Sequence, residues 1–193
     1  MTNSRRLPSA ALLLAVAVLA SCTELSSAAA ADSQAAANQR DGFSPLVAKV
    51  REATRQYRHL NVALGEGWVR ATPCVSGPNT GAMGVHFVLP SRVNSGVLDA
   101  GQPQSLIYEP LADGSLHLVG VEFIILADHW AQQHPDGSTP ALDGHLLNYV
   151  EAPNRYGLPA FYELHVWAWE DNPVGNFADW NTHVSCDQQL PPS

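Results

Sequence analysis

The hydrophobic period of this chain changes once, at Cys74, and that change restricts the fold more than any other feature. Before it, Leu46, Val47, Val50, Ala53, Tyr57, Leu60 and Leu64 recur at i, i+3, i+4 and i+7, the spacing of one helix face. Ser44 before Pro45 suits an N-cap with proline at the first helical position, and Gly65 and Gly67 stop the run. Lys49, Arg51, Arg55 and Arg58 fall on the other faces, which reads as a solvated surface rather than a site for anionic lipid headgroups. After Cys74 the period is two. Met83, Val85, Phe87 and Leu89 alternate with Gly84, His86 and Val88 until Pro90 ends the strand. Leu106 to Tyr108 makes a second strand, and Ala112-Asp113-Gly114 turns the chain into a third, Leu116 to Leu126. Asp128 to Pro159 reads as a long loop, and Phe161 to Trp169 is the most strongly β-coded segment. These patterns predict an α+β, β-rich domain, with one N-terminal amphipathic helix packed on an antiparallel sheet, sandwich or small barrel.

Residues 1–21 have the layout of a lipoprotein signal peptide. Arg5 and Arg6 form a positive start, and Ala10 to Ala20 is an apolar run about half as long as the ~20 residues a membrane-spanning helix needs. The run closes on Leu19-Ala20-Ser21-Cys22, which resembles the bacterial lipobox, whose cysteine takes a diacylglyceryl group. An ordinary cleaved signal with an incidental cysteine is the alternative. Ser4-Arg5-Arg6-Leu7 also resembles a twin-arginine signal, although Pro8 stands where an aromatic residue usually follows. Residues 22–40 are expected to be a disordered tether, because Ser26 to Asn38, mostly Ala with Ser, Gln and Asn, lacks the large apolar side chains needed to order itself. Residues 41–193 remain for a single β-rich domain. The expected location is outside the cytoplasm, lipid-anchored to the bacterial cell membrane or outer membrane and facing the periplasm or exterior, with the lipid bilayer as a partner.

The formal net charge is −8; without Arg5 and Arg6, ten bases become eight against eighteen acids. Lys49 is the one lysine, so the chain has no basic stripe with which to displace phosphate counterions, and nucleic acid is excluded as a partner. If Cys22 carries lipid, two thiols are left in an exported protein, Cys74 and Cys186, and a disulfide between them is the natural reading. Such a bond would contribute about 4–5 kcal/mol in the chain-entropy model. Metal thiolates are the alternative, but neither cysteine has CxxC spacing.

Three polar side chains interrupt otherwise apolar strands. His86 sits between Val85 and Phe87, Glu122 within Val119-Gly120-Val121-Glu122-Phe123-Ile124-Ile125, and His165 within Leu164-His165-Val166-Trp167. A carboxylate buried alone costs several kcal/mol or takes up a proton, so Glu122 needs a partner. Two imidazoles and a carboxylate are a donor set for a divalent transition metal such as Zn, Cu, Fe or Mn, with positions left for water or substrate. On a regular strand Glu122 shares its face with Leu118, Gly120 and Ile124, and the small Gly120 would leave room for a ligand. Glu163, on the face of His165 and Trp167, is placed to ligate or to orient the imidazole, and Glu109 at the end of the second strand is a further acid for proton transfer. The same residues also suit a metal-free polar pocket, or a half-solvated strand with no site at all. His129 and His134 make a looser clamp within the loop, and Trp167, Trp169 and Trp180 serve a hydrophobic core better than a sugar-stacking surface.

There is no GxSxG elbow, HExxH helix, CxxC pair or phosphate-binding GK[ST] loop, which sets aside the serine hydrolase, zincin, thioredoxin and nucleotide-binding chemistries. A cupin-like oxygenase or hydrolase would also place His and Glu on strands, but its HxH followed shortly by Glu is missing. The segments Met83-Gly84-Val85-His86-Phe87, Tyr108-Glu109-Pro110, Leu118-Val119-Gly120-Val121-Glu122-Phe123, Leu164-His165-Val166-Trp167-Ala168-Trp169 and Asn172-Pro173-x-Gly175-x-Phe177-x-x-Trp180-Asn181-x-x-Val184-x-Cys186 together resemble a family of small exported bacterial proteins without an established activity. The likeness runs from about Gln56 to Cys186 and departs at Thr182-His183, where a proline is expected, so His183 carries no role. It implies export and one domain, and no reaction. The resulting expectation is a membrane-anchored extracytoplasmic lipoprotein that binds a divalent metal or small ligand through His86, Glu122 and His165. The alternatives are a metal-free envelope interaction module, and a metal-dependent oxygenase or hydrolase.

Overall fold

A computed structural model describes residues 44–189, which fall in one compact unit. The signal peptide, Cys22 and the tether lie outside the described residues. No helix among the described residues is long and apolar enough to cross a membrane.

The amphipathic stretch is helical, but in pieces: helix α1 (Pro45–Thr54), a 3-10 turn (Arg55–Arg58) and helix α2 (Leu60–Gly65). Thr54 ends α1, its buried hydroxyl donating back to the Val50 carbonyl at 2.6 Å, a bond that competes with helix continuation. Pro45 opens the helix as expected, but the Ser44 side chain makes no capping bond and its Oγ is buried without a hydrogen-bond partner. The basic side chains are exposed, as expected of a solvated face, and each also has a partner within the chain. Lys49 pairs with Asp143 at 2.7 Å, Arg55 with Glu52 at 2.5 Å, Arg51 donates to the Ala168 carbonyl, and Arg58 lies over the Trp169 ring.

Nine strands follow among the described residues: β1 (Val69–Arg70), β2 (Val75–Gly77), β3 (Gly81–Val88), β4 (Ser105–Pro110), β5 (Leu116–Leu126), β6 (Ala141–Leu142), β7 (His145–Leu146), β8 (Asn148–Val150) and β9 (Phe161–Val166). The main sheet is antiparallel and open, in the order β1-β3-β4-β5-β9-β8 with β2 also on β3, and β6 and β7 form a separate hairpin. Of the three architectures expected, a helix on a sheet is therefore the one adopted. The stretch read as a long loop contains helix α4 (Ala127–Gln133), the β6-β7 hairpin and edge strand β8; helix α3 (Pro90–Val93) precedes it. Elements of two or three residues carry too few side chains for a period to show.

One face of the sheet is apolar throughout. Val85, Phe87, Leu106, Tyr108, Val121, Phe123, Ile125, Leu164 and Val166 pack with Leu46, Val47 and Val50 of α1. A register shift between Ile107 and Tyr108 places Ile107 opposite Gly120 but Tyr108 opposite Leu118, leaving Val119 as an extra residue on β5. The bulge reverses one expectation: Leu118 joins the apolar core, while Val119 packs with Ile107 and Trp167 on the opposite face. Cys74 and Cys186 are disulfide-bonded, their Cα atoms 5.6 Å apart.

Candidate metal centre

The second face of the sheet carries the polar exceptions, and strand register explains why they meet. Ser105 on β4, Glu122 on β5 and His165 on β9 are consecutive cross-strand partners in one row. His86 on β3 lies in the next row, opposite Ile107, two strands from Glu122 and so about 10 Å away in backbone terms. The imidazole reaches diagonally across β4, bringing Nε2 within 3.6 Å of Glu122 Oε2. The ligand atoms of His86, Glu122 and His165 all lie within 4.8 Å of one another, and the three residues are 4%, 5% and 1% exposed. A tetrahedral ion with bonds of about 2.0–2.1 Å separates its donors by roughly 3.4 Å, so the His86–Glu122 pair already stands near a coordination edge.

Each imidazole is approached at Nδ1 by a neighbour. Thr72 Oγ1 accepts the backbone N–H of His86 at 3.1 Å and lies 3.2 Å from its Nδ1, which directs Nε2 at Glu122. His165 Nδ1 lies 3.8 Å from Asp179 Oδ1, and Asp179 is itself held by Asn148 Nδ2 at 3.2 Å. Glu163 is 5% exposed and forms, with His165 and Asp179, a second group of closely spaced donor atoms. Both ring nitrogens of His165 and Oε2 of Glu163 are buried without a hydrogen-bond partner, and a buried polar atom left in that state costs about 1–3 kcal/mol.

The electrostatics follow from burial. Desolvation, then the neighbouring His165, pull the His86 imidazole down to about 3, against a backbone hydrogen bond at Gly84 that raises it. Burial alone lowers His165 to about 4. Glu122 is pushed well above the usual carboxyl range by burial first, then by Glu163 and Asp179, and burial also raises Glu163 and Asp179. Both imidazoles are therefore neutral at pH 7, the form in which they coordinate metals.

A partly open cavity of about 240 Å³ reaches His86 and Glu122 from the side of Thr72 and Tyr156. The Tyr156 ring stands 6.4 Å from that of His86.

Other expected contributors are elsewhere. Glu109 lies at the opposite end of β4 from the cluster: it pairs with His117, and its Oε1 accepts the backbone N–H of Ser185 at 2.8 Å, so it is not among the residues brought together there. Gly120 offers no room, because a Cβ there would come within 2.9 Å of the Val166 carbonyl oxygen and 3.3 Å of the Trp167 ring. His134 stacks on Trp130 and its Nδ1 lies 3.2 Å from the Trp130 carbonyl oxygen, and neither it nor His129 belongs to a group of three close metal donors among the described residues. Trp167 is buried over His165 and donates to the Ala178 carbonyl, whereas Trp169 donates to Thr54 on the apolar face; the tryptophans share no surface. Thr72, Tyr156 and Asp179 were invisible to sequence reasoning because each lies in irregular chain with no period to assign its direction. Compared with family models, curated proteins and solved structures, the chain matches none.

Proposed function

We propose that this domain binds one divalent transition metal ion through His86, Glu122 and His165, and that it does so outside the cytoplasm on a lipid anchor at Cys22. The observation that carries the metal reading is the pair of unpartnered nitrogens on His165, buried beside a second neutral imidazole and a carboxyl group. An ion bound there satisfies one nitrogen and offsets the desolvation of Glu122. Two nitrogens and one oxygen suit Zn(II) or Fe(II) and leave coordination positions open. Thr72 holds one ring by Nδ1; Asp179, after closing by under about 1 Å to normal hydrogen-bond distance, would hold the other in the carboxylate–histidine–metal manner. The export reading rests on the Leu19-Ala20-Ser21-Cys22 segment alone.

Metal analysis of protein purified without a histidine tag tests the first part. One equivalent of metal per chain is expected, falling below a tenth in His86→Ala and His165→Ala while the circular dichroism spectrum is retained. Protein that takes up no zinc or iron at micromolar concentrations, or variants that hold as much as the parent, would overturn the assignment. For the anchor, Cys22→Ser should move the protein from the detergent phase to the aqueous phase on temperature-induced separation; partitioning unchanged by the substitution rules out lipidation there.

The cavity beside Glu122 also favours a version in which the ion meets a small molecule, as a metal-dependent hydrolase or oxygenase would require, with Glu163 as the adjoining acid.

A further inference from the structure

The cavity that reaches the metal donors has a chemistry of its own. Its walls are carbon: Val88 and Ile124 from the sheet, Val93 from α3, and Leu158 and Phe161 from the chain leading into β9. The polar lining is confined to Thr72, Tyr156, His86 and Glu122. Thr72 is already engaged with His86, and the Tyr156 hydroxyl lies 3.4 Å from Met83 Sδ, so the polar atoms left to a ligand are His86 Nε2 and the Glu122 carboxyl. At about 240 Å³ the space is below the roughly 300–1,000 Å³ of sites for drug-sized molecules. It suits a single ring or a short branched chain with one polar end.

Charge decides which polar end. No lysine or arginine lines the cavity; Arg155, whose charge reaches Tyr156 and Glu163, stands outside the lining, so the metal-free cavity itself offers an anion no cationic partner. A divalent ion held by Glu122 and two neutral imidazoles reverses this: the ion and its three donors together carry about +1 with at least one vacant position, and the nearby Glu163 and Asp179 are not part of the cavity's lining. Resting on the metal reading above, we propose that the cavity binds a small monocarboxylate with an apolar body, its carboxylate completing the coordination of the ion and its body lying against Val88, Ile124 and Phe161. The metal is thus the cavity's selectivity switch: with it the site takes acids, and without it the site has no affinity for them.

Benzoate, benzyl alcohol and benzylamine share one ring and differ in the polar end. Each is titrated by calorimetry into the full chain, zinc-loaded and zinc-free, with zinc content measured on the same samples. Benzoate is expected to bind the zinc-loaded protein at least tenfold more tightly than either analogue, and at least tenfold more tightly than it binds zinc-free protein. Leu158→Trp and Val93→Trp, which fill the cavity from its less buried side, should each weaken benzoate at least tenfold while keeping one equivalent of zinc; two variants guard against one misfolding. Zinc-loaded protein that ignores benzoate, or prefers benzylamine, overturns the proposal and leaves metal binding standing. Benzoate binding that is equal without zinc also overturns it. A chain that takes up no zinc overturns both readings, and the zinc assay tells these cases apart.

Discussion

The two faces of the main sheet are equally dry and differently finished. On the α1 side, Val121, Phe123 and Ile125 of β5 are fully buried among carbon, the Tyr108 hydroxyl donates to the Tyr57 carbonyl at 2.7 Å, and the polar atoms left without a partner, Ser44 Oγ and Trp68 Nε1, belong to groups that carry no charge. On the other side the same strand presents Glu122, and its neighbour β9 presents Glu163 and His165, buried nearly as deeply but with ionisable atoms, the His165 nitrogens and Glu163 Oε2, left unpartnered. Burial stabilises the first face; on the second it imposes a cost that packing does not repay. Adjacent residues of one strand thus serve opposite ends, stability and site.

Exchanging the roles of neighbouring residues should have the largest effect. Phe123→Ala removes a fully buried ring from the apolar face and is expected to cost about 3–5 kcal/mol in denaturant unfolding. Glu122→Leu, one position away, should abolish zinc binding yet leave the metal-free protein as stable as before or more so, by up to about 4 kcal/mol, since replacing buried ionisable groups by apolar ones often stabilises. If Glu122→Leu instead destabilises the metal-free chain as much as Phe123→Ala, the polar face is structural and the contrast fails.

Acid should then act through one face only. His86 and His165 titrate near 3 and 4 when folded, below the 6.5 of an exposed imidazole, so the unfolded chain binds more protons between those values. Their contribution is full above about pH 6.5 and lost as the pH falls toward 3. The raised carboxyls have the opposite sign: their contribution is full below about pH 4.5 and lost as pH rises through their folded values. Below about pH 4.5 the imidazoles therefore set the local slope, and thermal melts of metal-free protein should fall steeply there, less so in His86→Phe. The buried apolar cluster contains no imidazole or carboxyl, so Phe123→Ala should lower the whole curve without changing that slope.

A subtler effect belongs to Asp179. Asp179→Asn should weaken zinc binding about 10–100-fold, the usual cost of losing a partner that orients a ligating imidazole, with the stoichiometry unchanged at one. Nitrogen-detected NMR of the metal-free protein should show the His165 tautomer shifting at the same time. Unchanged affinity would assign Asp179 to the surface rather than to the site.

What the sequence could disclose was whatever strand alternation encodes. Residues 81–88, 116–126 and 161–166 are apolar enough for His86, Glu122 and His165 to stand out as interruptions, and these are the three the sheet brings together. Alternation carries no record of a bulge, so the slip at Val119 that sends Leu118 to the core was illegible, and so was the closure of Trp167 over Gly120. Nor does it reach Asp179, whose position depends on how irregular chain folds back over β9, or Glu109, which is claimed by a distant backbone N–H at Ser185. The cysteine pair was readable for a different reason: parity and spacing needed no geometry.

Ser105 gives the sheet an unusual tolerance problem. Its hydroxymethyl group, on β4, stands opposite Glu122, and β4 is the strand that separates the His86 imidazole from its carboxyl neighbour. A longer side chain in that slot would act as a shim, prising donor from donor while every backbone ladder stayed intact. The strand that supplies no ligand would then decide whether there is a coordination sphere at all.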